Sequence, residues 1–482
     1  MPDYSDADTV HTPSAVHIAG NSAFVGLMVE TLLEQKPDLK VIRFFKRHFG
    51  ENTPIYFDPQ GTPWYPEAIA GLVLKKLKFD AENFTSSEVE SAVVTVPAHF
   101  NDPQRKAVIA SAMLADIPML GLVEEPVAAA LHYGVVNASY DQVLMVYDFG
   151  GGTFDATALS MDSKGIYVLA KAGRTELGGK EFDEAIAAMI LAQFERALGA
   201  PLSLNARVLL QLRRVSEDLK IELCSPGKTR VRRAVLLGGE AVDIEITRSE
   251  FEAAISNYLD QAESETLRCM QDAGLRAEDV NALLLVGGTS MVPAVQERLK
   301  RIYGFPGQRV LYHEPSKAVA YGAAMHASQL AGEAKLYGLP AEFRGVTGHC
   351  VGVRTINPDN GRVAVDTLIK KNLPLPVRVK KVYYTSRPGQ ERIVLDLVQY
   401  RDQSEELTSL GQLTVGPLPS PRINYPIEVT VETREDGTVA VQAYDANTGV
   451  ELNQVFGSED ESGLGHLTAQ RNLVRSTFIN NL

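Results

Sequence analysis

The chain has 482 residues, with 47 Lys plus Arg against 60 Asp plus Glu, and a formal net charge of −13 at pH 7. This acidic balance argues against nucleic acid or an anionic membrane as the main partner. Three widely separated cysteines favour neither a disulfide framework nor a zinc site. Because no apolar run is long enough to cross a bilayer and no basic-apolar signal opens the sequence, we expect a cytoplasmic protein.

The first third of the chain alternates predicted strands and helices, an order typical of α/β folds. Lys46 lies in VIRFFKRHFG, where its neighbours favour an ordinary surface lysine. Pro66 in the first turn of one predicted helix and Asn101 at the cap of another mark where these two helices begin. The predicted elements are a strand at 15–18, helices at 27–35 and from Pro66, a strand at 92–96, a helix after Asn101, a strand at 119–123 and a helix after Pro126.

Residues 147–155, YDFGGGTFD, stand out because a β-branched and aromatic run leads directly into three glycines. Without Cβ atoms, Gly150, Gly151 and Gly152 let backbone N–H groups approach an anion closely. Asp148 and Asp155 flank them, and two carboxylates beside a phosphate imply a divalent cation between the charges. Taken alone, the stretch fits either a glycine-rich hairpin turn or a phosphate loop with a metal.

Two further glycine pairs precede predicted helices: Gly178-Gly179 in ELGGKEFDEAI, and Gly287-Gly288 in LLLVGGTSMVP. A helix N-terminus that follows a glycine turn suits anions because its first amides are unpaired. The VGGTS motif is weak alone and gains weight as a second glycine turn in this chain. The charges of the predicted helix at 205–223 favour a solvated face over a ligand role.

The pattern changes near residue 330, where KLYGLPAEFRGVTG predicts a linker. From residue 349 to 452 the runs are short, β-rich and separated by turn signals such as Glu-Asp-Gly, which predicts a separate antiparallel β-domain. The stretch after Gly457 is polar and begins to look helical at Leu467.

Six segments then occur in one order: VVTVPAHFND, EEPVAAALHYG, YDFGGGTFD, ELGGKEFD, LLLVGGTSMVP and EPSKAVAYGAA. They resemble the nucleotide-binding domain of the seventy-kilodalton heat-shock chaperones (the DnaK family), a branch of the actin and sugar-kinase ATPase superfamily. LIKKNLPLPV, IVLDLVQY and LGQLTV resemble that family's peptide-binding sandwich. The resemblance implies an α/β, actin-like (ribonuclease-H-like) two-lobed ATPase domain at 1–332, N-terminally incomplete, a linker at 333–347, an all-β peptide-binding sandwich at 348–457 and a short remnant of the helical lid at 458–482.

The resemblance also assigns roles to individual residues. Lys46 matches the catalytic lysine that contacts the γ-phosphate and the attacking water, and Glu125 matches the carboxylate that couples nucleotide to metal waters. Asp148 matches the aspartate that orients water on Mg²⁺, whereas Thr153 and Asp155 would position water and a monovalent cation such as K⁺. The implied ATP/ADP-binding residues are Gly150, Gly151, Gly152, Gly178, Gly179, Glu217, Lys220, Gly287, Gly288 and Thr289, and the implied peptide-binding residues are Tyr383, Ile393 and Leu395.

The chain also departs from the family pattern. Nothing like the family's D-x-G-T-T opening, which forms the first phosphate loop, precedes His11, so we expect the first strands to be missing through truncation or a start assigned at an internal methionine. The linker lacks the acidic-capped leucine run, which predicts weak coupling between the domains. Four substitutions fall near the implied nucleotide pocket: Ile221 and Met291 where the family has arginines, Cys224 for serine and Ser316 for aspartate.

The leading functional prediction is an ATP-dependent molecular chaperone for protein folding and the stress response. Its implied partners are extended apolar segments of unfolded clients, a J-domain co-chaperone and a nucleotide exchange factor, with no nucleic acid and no membrane. One alternative is a nucleotide- or peptide-binding protein with little hydrolysis, because the first phosphate loop is absent. Another is a small-molecule kinase of the same superfamily, against which the β-rich tail argues.

Overall fold

The computed structural model describes residues 11–137, 141–303, 310–311, 315, 317–332, 342–356, 363–401, 407–420, 422–452, 454–457 and 462–480. The opening residues 1–10, Ser316 and most of the predicted linker lie outside these ranges. Among the described helices, none combines the length and the apolar character needed to cross a membrane.

Residues 11–124 form most of what we call the first lobe. Two of its helices begin at residues that suit a helix N-terminus. Pro66 occupies the first turn of a helix, where its missing N–H costs no hydrogen bond. The Asn101 side chain accepts the backbone N–H of Gln104 at 3.0 Å and so caps another helix. The elements of residues 11–137 are β1 (Ala15–Ala19), β2 (Ser22–Val25), α1 (Leu27–Gln35), β3 (Ile42–Arg43), β4 (Tyr56–Phe57), β5 (Pro63–Trp64), α2 (Pro66–Thr85), β6 (Ala92–Val96), α3 (Asp102–Leu114), β7 (Met119–Glu124) and α4 (Glu125–Asn137).

Residues 125–344, the second lobe, are built on a six-stranded sheet. The elements after α4 are β8 (Gln142–Phe149), β9 (Phe154–Met161), β10 (Gly165–Arg174), α5 (Gly179–Leu198), α6 (Ala206–Cys224), β11 (Arg230–Leu237), β12 (Glu240–Thr247), α7 (Arg248–Ala254), α8 (Ser256–Asp272), β13 (Ala282–Val286), α9 (Pro293–Tyr303), β14 (Val310–Leu311), α10 (Ala318–Leu330) and β15 (Glu342–Arg344). The strand order is β14-β13-β8-β9-β10-β15, with β9 antiparallel to both β8 and β10, and with β13 parallel to β8.

Alternation along β8 gives this sheet two apolar faces. Met145 and Tyr147 lie in a core with α5, α6, α8 and α9, whereas Leu144 and Val146 lie in a core with α4 and α10. This is the period of two expected for a strand buried on both sides. Helices α4 and α10 also contact β6 and β7 and therefore join the two lobes.

Residues 345–457, the β-domain, form a sandwich of a five-stranded and a three-stranded sheet. One core fills the space between them, and Ile393, Leu395 and Leu397 point into it from alternate positions of one strand. Its strands are β16 (Cys350–Ile356), β17 (Val363–Ile369), β18 (Val377–Tyr384), β19 (Ile393–Tyr400), β20 (Thr408–Val415), β21 (Pro426–Thr433), β22 (Val439–Asp445) and β23 (Gln454–Gly457). Strand β15, inside the interval predicted as linker, pairs in parallel with β10 of the second lobe.

The last described residues return to the first lobe. Helix α11 (Ser462–Ser476) packs on α2 and α3, and β24 (Phe478–Asn480) pairs in parallel with β2. The helix begins five residues before the sequence pattern looked helical, and two glycines among those five weaken the local signal. Lys75 donates to the carbonyl oxygens of Val474, Arg475 and Thr477 at 2.9, 3.1 and 2.8 Å, which satisfies the end of the helix.

The β-domain is docked on both lobes. Asp102 at the start of α3 accepts the backbone N–H of Val439 at 2.6 Å, and its own N–H donates to the Gln399 side chain at 2.9 Å. On the second lobe, Lys371 pairs with Asp272 at 2.5 Å. Arg401 donates to the carbonyl oxygen of Gly173, a residue of β10.

Candidate functional site

Three glycine turns meet at the edge of the second lobe where β8 and β13 end. The backbone N–H groups of Gly179 and Lys180 donate to the carbonyl oxygens of Gly150 and Gly151 at 3.0 and 2.9 Å. The Thr289 hydroxyl, in the turn after β13, donates to the carbonyl oxygen of Gly150 at 2.8 Å. The structure therefore joins all three glycine segments singled out in the sequence into one concave site.

At two of these positions, the close approach of neighbouring backbone atoms leaves no room for a side chain. A Cβ on Gly178 would lie 2.5 Å from the backbone nitrogen of Gly152, and one on Gly287 would lie 2.5 Å from the carbonyl oxygen of Phe149. Gly287 also has φ 79°, which side chains rarely adopt. By contrast, a Cβ on Gly151 or Gly288 would meet nothing within 4 Å, so these two face the open side of the site.

Three carboxylates and one lysine lie on the first-lobe side of the glycines. Lys46 Nζ pairs with Glu125 Oε1 at 2.7 Å, which joins residues 79 positions apart. Burial and the neighbouring charge of Glu125 raise the pKa of the Asp148 carboxyl well above its usual value. Burial and Glu125 raise the pKa of Asp155 in the same way. The cluster carries more negative charge than Lys46 alone offsets.

Asp155 is held by His99, a residue that no sequence pattern had singled out. The backbone N–H of His99 donates to Asp155 Oδ1 at 3.0 Å, and His99 Nδ1 lies 2.8 Å from the same oxygen. Burial, followed by the charge of Arg401, lowers the pKa of His99 well below its usual value, so a neutral ring is expected at this position. His99 thus fixes the orientation of Asp155.

Behind His99 lies a buried ionic group. Glu124 Oε1 accepts from Arg105 at 2.6 Å and from Lys171 at 2.5 Å. Burial acts to raise the pKa of Glu124, but Lys171 and Arg105 outweigh it and hold the pKa below its usual value. Arg105 also donates to the carbonyl oxygen of Asp436 in the β-domain at 2.9 Å. The ionic group therefore extends from the site to the docked domain.

Further ion pairs join the lobes across the site. Arg47 makes a bidentate pair with Glu181 at 2.8 and 3.0 Å, and its buried Nε has no hydrogen-bond partner among the described residues. Arg214 of α6 pairs with Glu34 of α1 at 3.4 Å and with Glu30 at 3.6 Å. This part of α6 was predicted to be a solvated face, and its arginines instead contact the first lobe. No local pattern could have identified these pairs, because their partners lie more than a hundred residues away.

The two α6 residues assigned by resemblance differ in their surroundings. Lys220 pairs with Asp183 at 2.7 Å, and its Nζ lies 3.5 Å from where a Cβ on Gly179 would stand. Glu217 is exposed, and no contact among the described residues places it against the glycines. Beside Lys220 a cavity of about 560 Å³ opens between α6 and the turn after β13, lined by Ile221, Cys224, Ser225, Pro226, Arg248, Gly288, Met291, Val292, Pro293 and Gln296.

The residues fit a phosphate chain together with a divalent cation. The glycine turns leave the Gly151 and Gly288 backbone open to a ligand. The Arg47 Nε next to Gly152 is a buried donor that has no partner within the part of the chain that the structure describes. In the described ranges, no three His, Cys, Asp or Glu side chains are grouped to bind a metal directly. Carboxylates can also hold a divalent cation through its bound waters.

The three residues assigned to peptide binding lie on the β-domain, away from this site. Ile393 and Leu395 are 5% and 8% exposed and lie in the sandwich core. Tyr383 is half-buried and its hydroxyl donates to Asp366 at 2.9 Å. Burial raises the pKa of Tyr383, as does this hydrogen bond to a carboxylate.

A family model and two relatives of this chain point to the same protein family. Residues 12–466 match the family model described as Hsp70 protein. The chain is similar to the chaperone protein DnaK of Thermosipho melanesiensis, with 34% identity over 423 residues, which is 86% of this chain and 69% of that protein. It is equally similar to the chaperone protein DnaK of Thermosipho africanus, with 34% identity over 422 residues and the same two shares.

Proposed function

Because this chain belongs to the Hsp70 family, we propose that it binds and hydrolyses ATP and uses this cycle to control binding of extended apolar segments of unfolded proteins. The fold class expected from the sequence, an actin-like two-lobed α/β ATPase domain followed by a β-domain, is confirmed. A chaperone of the Hsp70 type is therefore the general function. Hydrolysis, clients, a J-domain co-chaperone, a nucleotide exchange factor and a cytoplasmic location are parts of the proposal.

The convergence of the glycine turns with the lysine–carboxylate cluster is the observation that carries the nucleotide site. Backbone amides and the open faces of Gly151 and Gly288 would receive the phosphates. Lys46, whose side chain is 41% exposed beside these turns, can donate to a terminal phosphate while Glu125 holds its ammonium group in place. Phosphoryl transfer depends mainly on such positioning and charge neutralisation.

Asp148 would hold hydrated Mg²⁺, and the ion would neutralise phosphate charge. Burial, and after it the neighbouring charge of Glu125, raises the pKa of Asp148 and of Asp155, and a cation bound beside these carboxyls would offset both effects. Thr153, just before β9, and Asp155, the second residue of β9, would order water and a monovalent cation, with His99 fixing Asp155.

Single-turnover hydrolysis of ATP tests this proposal. The native chain should hydrolyse ATP, and Lys46→Ala should lower the rate about 10²- to 10³-fold while calorimetry shows ATP affinity changed only a few-fold. Lys164→Ala, an exposed lysine in the β9–β10 turn, is the matched control and should behave as the native chain. A native chain that neither binds nor hydrolyses ATP would contradict the proposal.

The second candidate, nucleotide binding with little turnover, is favoured by one observation. In the described residues the phosphate-facing glycine turns all come from the second lobe, and the first lobe contributes Lys46 and Arg47 but no glycine loop against them. Each missing donor to a reacting phosphate costs roughly a hundredfold in rate or more. ATP binding in calorimetry without single-turnover hydrolysis would establish this candidate in place of the first.

A further inference from the structure

We propose that α11 and β24, the last two described elements, hold the turn that carries Lys46 in position at the proposed nucleotide site. This inference rests on the proposed function and concerns the short 3₁₀ helix Phe45–His48, which we call the lysine turn. The positioning residues are Val474 of α11 and Ile479 of β24, which lie in the first-lobe core and act on the lysine turn through it.

The lysine turn follows a residue in an unfavourable backbone conformation. Phe44 has φ 55° and ψ 19°, the left-handed region that a bulky side chain rarely adopts. Its ring lies beside two cations, with Arg47 Cζ at 5.7 Å and Lys180 Nζ at 5.2 Å from the ring centroid. A conformation of this kind persists only where the surrounding structure holds it. The position of Lys46 therefore depends on what holds the lysine turn.

Two phenylalanines anchor the lysine turn in the first-lobe core. Phe45 and Phe49 are buried and belong to the same cluster as the two positioning residues. Phe49 also meets the ring of Phe100 edge-on, with 6.4 Å between the ring centroids. Lys46 Nζ lies 5.7 Å from the centroid of that same Phe100 ring. Lys46 thus stands on the surface of this core.

Helix α11 reaches the lysine turn by way of α2 and α3. A Cβ on Gly71 of α2 would lie 3.3 Å from Leu114 Cβ and 3.7 Å from Val474 Cγ1, so α2, α3 and α11 meet at this point. At the other end of α3, a Cβ on Gly50 would lie 3.0 Å from Pro103 Cβ, which places the chain after the lysine turn against α3. Helix α2 contacts the lysine turn directly. A loss of packing on α11 is therefore expected to loosen both helices that support the turn.

Strand β24 reaches the same turn through a sheet. The strand order is β24-β2-β1-β3, and β3 ends at Arg43, the residue directly before Phe44. Val16 of β1 pairs with Ile42 of β3 on one side and with Val25 of β2 on the other. Backbone pairing therefore connects β24 to the start of the lysine turn.

This arrangement predicts an effect on the rate of hydrolysis more than on ATP affinity. The glycine turns that would bind the phosphates belong to the second lobe, whereas α11 and β24 pack on the first. Misplacing a reacting group by about 1 Å can cost roughly a hundredfold in rate. For a partial loosening we expect a loss of about tenfold in rate, with the dissociation constant of ATP changed by less than about threefold.

Val474→Ala in the full chain tests the inference by single-turnover hydrolysis at saturating ATP and by calorimetric titration with ATP and Mg²⁺. The rate should fall about tenfold, with affinity nearly unchanged. Val429→Ala removes the same two methyl groups from a fully buried position of the β-domain core, and this matched control should keep the native rate. If Val474→Ala does not fold, Ile479→Val, which removes one methyl group, should lower the rate about twofold.

Two outcomes of these assays overturn the inference. An unchanged rate in Val474→Ala does so and leaves the proposed function in place. An equal loss of rate in Val474→Ala and Val429→Ala does so as well, because it would reflect general stability rather than the position of the lysine turn.

Hydrogen exchange measures the support without requiring turnover. The backbone N–H of Arg47 donates to the Phe44 carbonyl oxygen at 3.0 Å, and that of Gly179 donates to the Gly150 carbonyl oxygen at 3.0 Å in the second lobe. In Val474→Ala the Arg47 amide should exchange about tenfold faster while the Gly179 amide keeps its native rate. Unchanged exchange at Arg47 overturns the inference. A native chain that fails to hydrolyse ATP contradicts the proposed function instead, and the exchange rates still decide whether α11 and β24 hold the turn.

Discussion

The glycines of the site have two different roles, and only their surroundings in the folded structure distinguish these roles. Gly178 and Gly287 allow neighbouring turns to touch, because a Cβ at either position would lie 2.5 Å from backbone atoms. Gly151 faces open space, so its missing side chain serves the approach of a ligand. In the sequence all three look alike.

We therefore expect opposite results from two alanine variants. Gly178→Ala should lower both the melting temperature and ATP affinity, because the turn around Gly151 and Gly152 must move. Gly151→Ala should fold with an unchanged melting temperature and lose affinity only. Differential scanning calorimetry and ATP titration of both variants give the comparison, and equal melting-temperature losses would contradict the assignment.

At the scale of elements, α11 and β24 belong to the core of the first lobe. Val474 is fully buried in one cluster with Val16, Ile18 and Trp64. The Gln470 side chain donates to the carbonyl oxygen of Pro63 at 2.8 Å. A segment more than 380 residues from β5 thus completes the packing around it.

Val474→Ala should destabilise the chain by about 2 kcal/mol, the cost of removing two buried methyl groups and leaving a cavity. Phe478→Ala, on the adjoining strand, should cost much less because Phe478 is 69% exposed. Chemical denaturation monitored by fluorescence of Trp64, the single tryptophan, reports directly on this lobe. A larger loss for Phe478→Ala than for Val474→Ala would contradict this packing.

Asp116 makes the attachment of α11 dependent on pH. Hydrogen bonds from Arg475 and Arg471, at 2.5 to 3.0 Å, hold the pKa of Asp116 below its usual value of 3.8. A carboxyl whose pKa is lowered by folding stabilises the fold above its unfolded value, and that contribution is lost as the pH falls through the lowered one.

Asp116→Asn should therefore lower the melting temperature at pH 6, and the difference from the native chain should shrink below pH 3.8. Thermal unfolding at several pH values between 3 and 6 measures the difference. A difference that stays constant through this range would show that the carboxylate charge is not the cause. Lys164→Ala again provides a surface control.

Several helices, strands and turns were predictable because the residues that indicate them are close together in the sequence. Strand β8, the glycine turn after it, the cap at Asn101 and the Pro66 start depend on residues within a few positions. The place of α11 and β24 in the first lobe was not, since parallel pairing of Phe478 with Ser22 leaves no trace in either local pattern. Arg47 with Glu181 and His99 with Asp155 were missed for the same reason.

At the scale of the whole molecule, the β-domain contacts the lobes close to the proposed nucleotide site. Arg401 donates to the carbonyl oxygen of Gly173, which stands opposite Asp155 in the β9–β10 ladder. The sequence predicted weak coupling from the composition of residues 333–347. Most of that segment lies outside the described residues, and the coupling stays a prediction, but side-chain contacts provide a route that does not require the segment.

Asp102→Ala tests this docking. Removing the acceptor of the Val439 N–H should raise the hydrogen-exchange rate of that amide about ten- to a hundredfold, the value of a hydrogen bond to a charged group. Lys106→Ala, which removes the exposed partner of the Asp102 carboxylate, should have little effect. An unchanged Val439 exchange rate in Asp102→Ala would mean that the two domains do not rest on each other here.

The pairing of β24 with β2 also constrains the order in which the parts of the molecule can fold during synthesis. Strands β1 and β2 leave the ribosome long before β24, so their sheet gains this strand only after residue 480 has been synthesised. Domains usually fold as they emerge. Here the β-domain has its whole sequence available before β24 is made, so β1 and β2 are translated before the β-domain but can reach their final packing only after it.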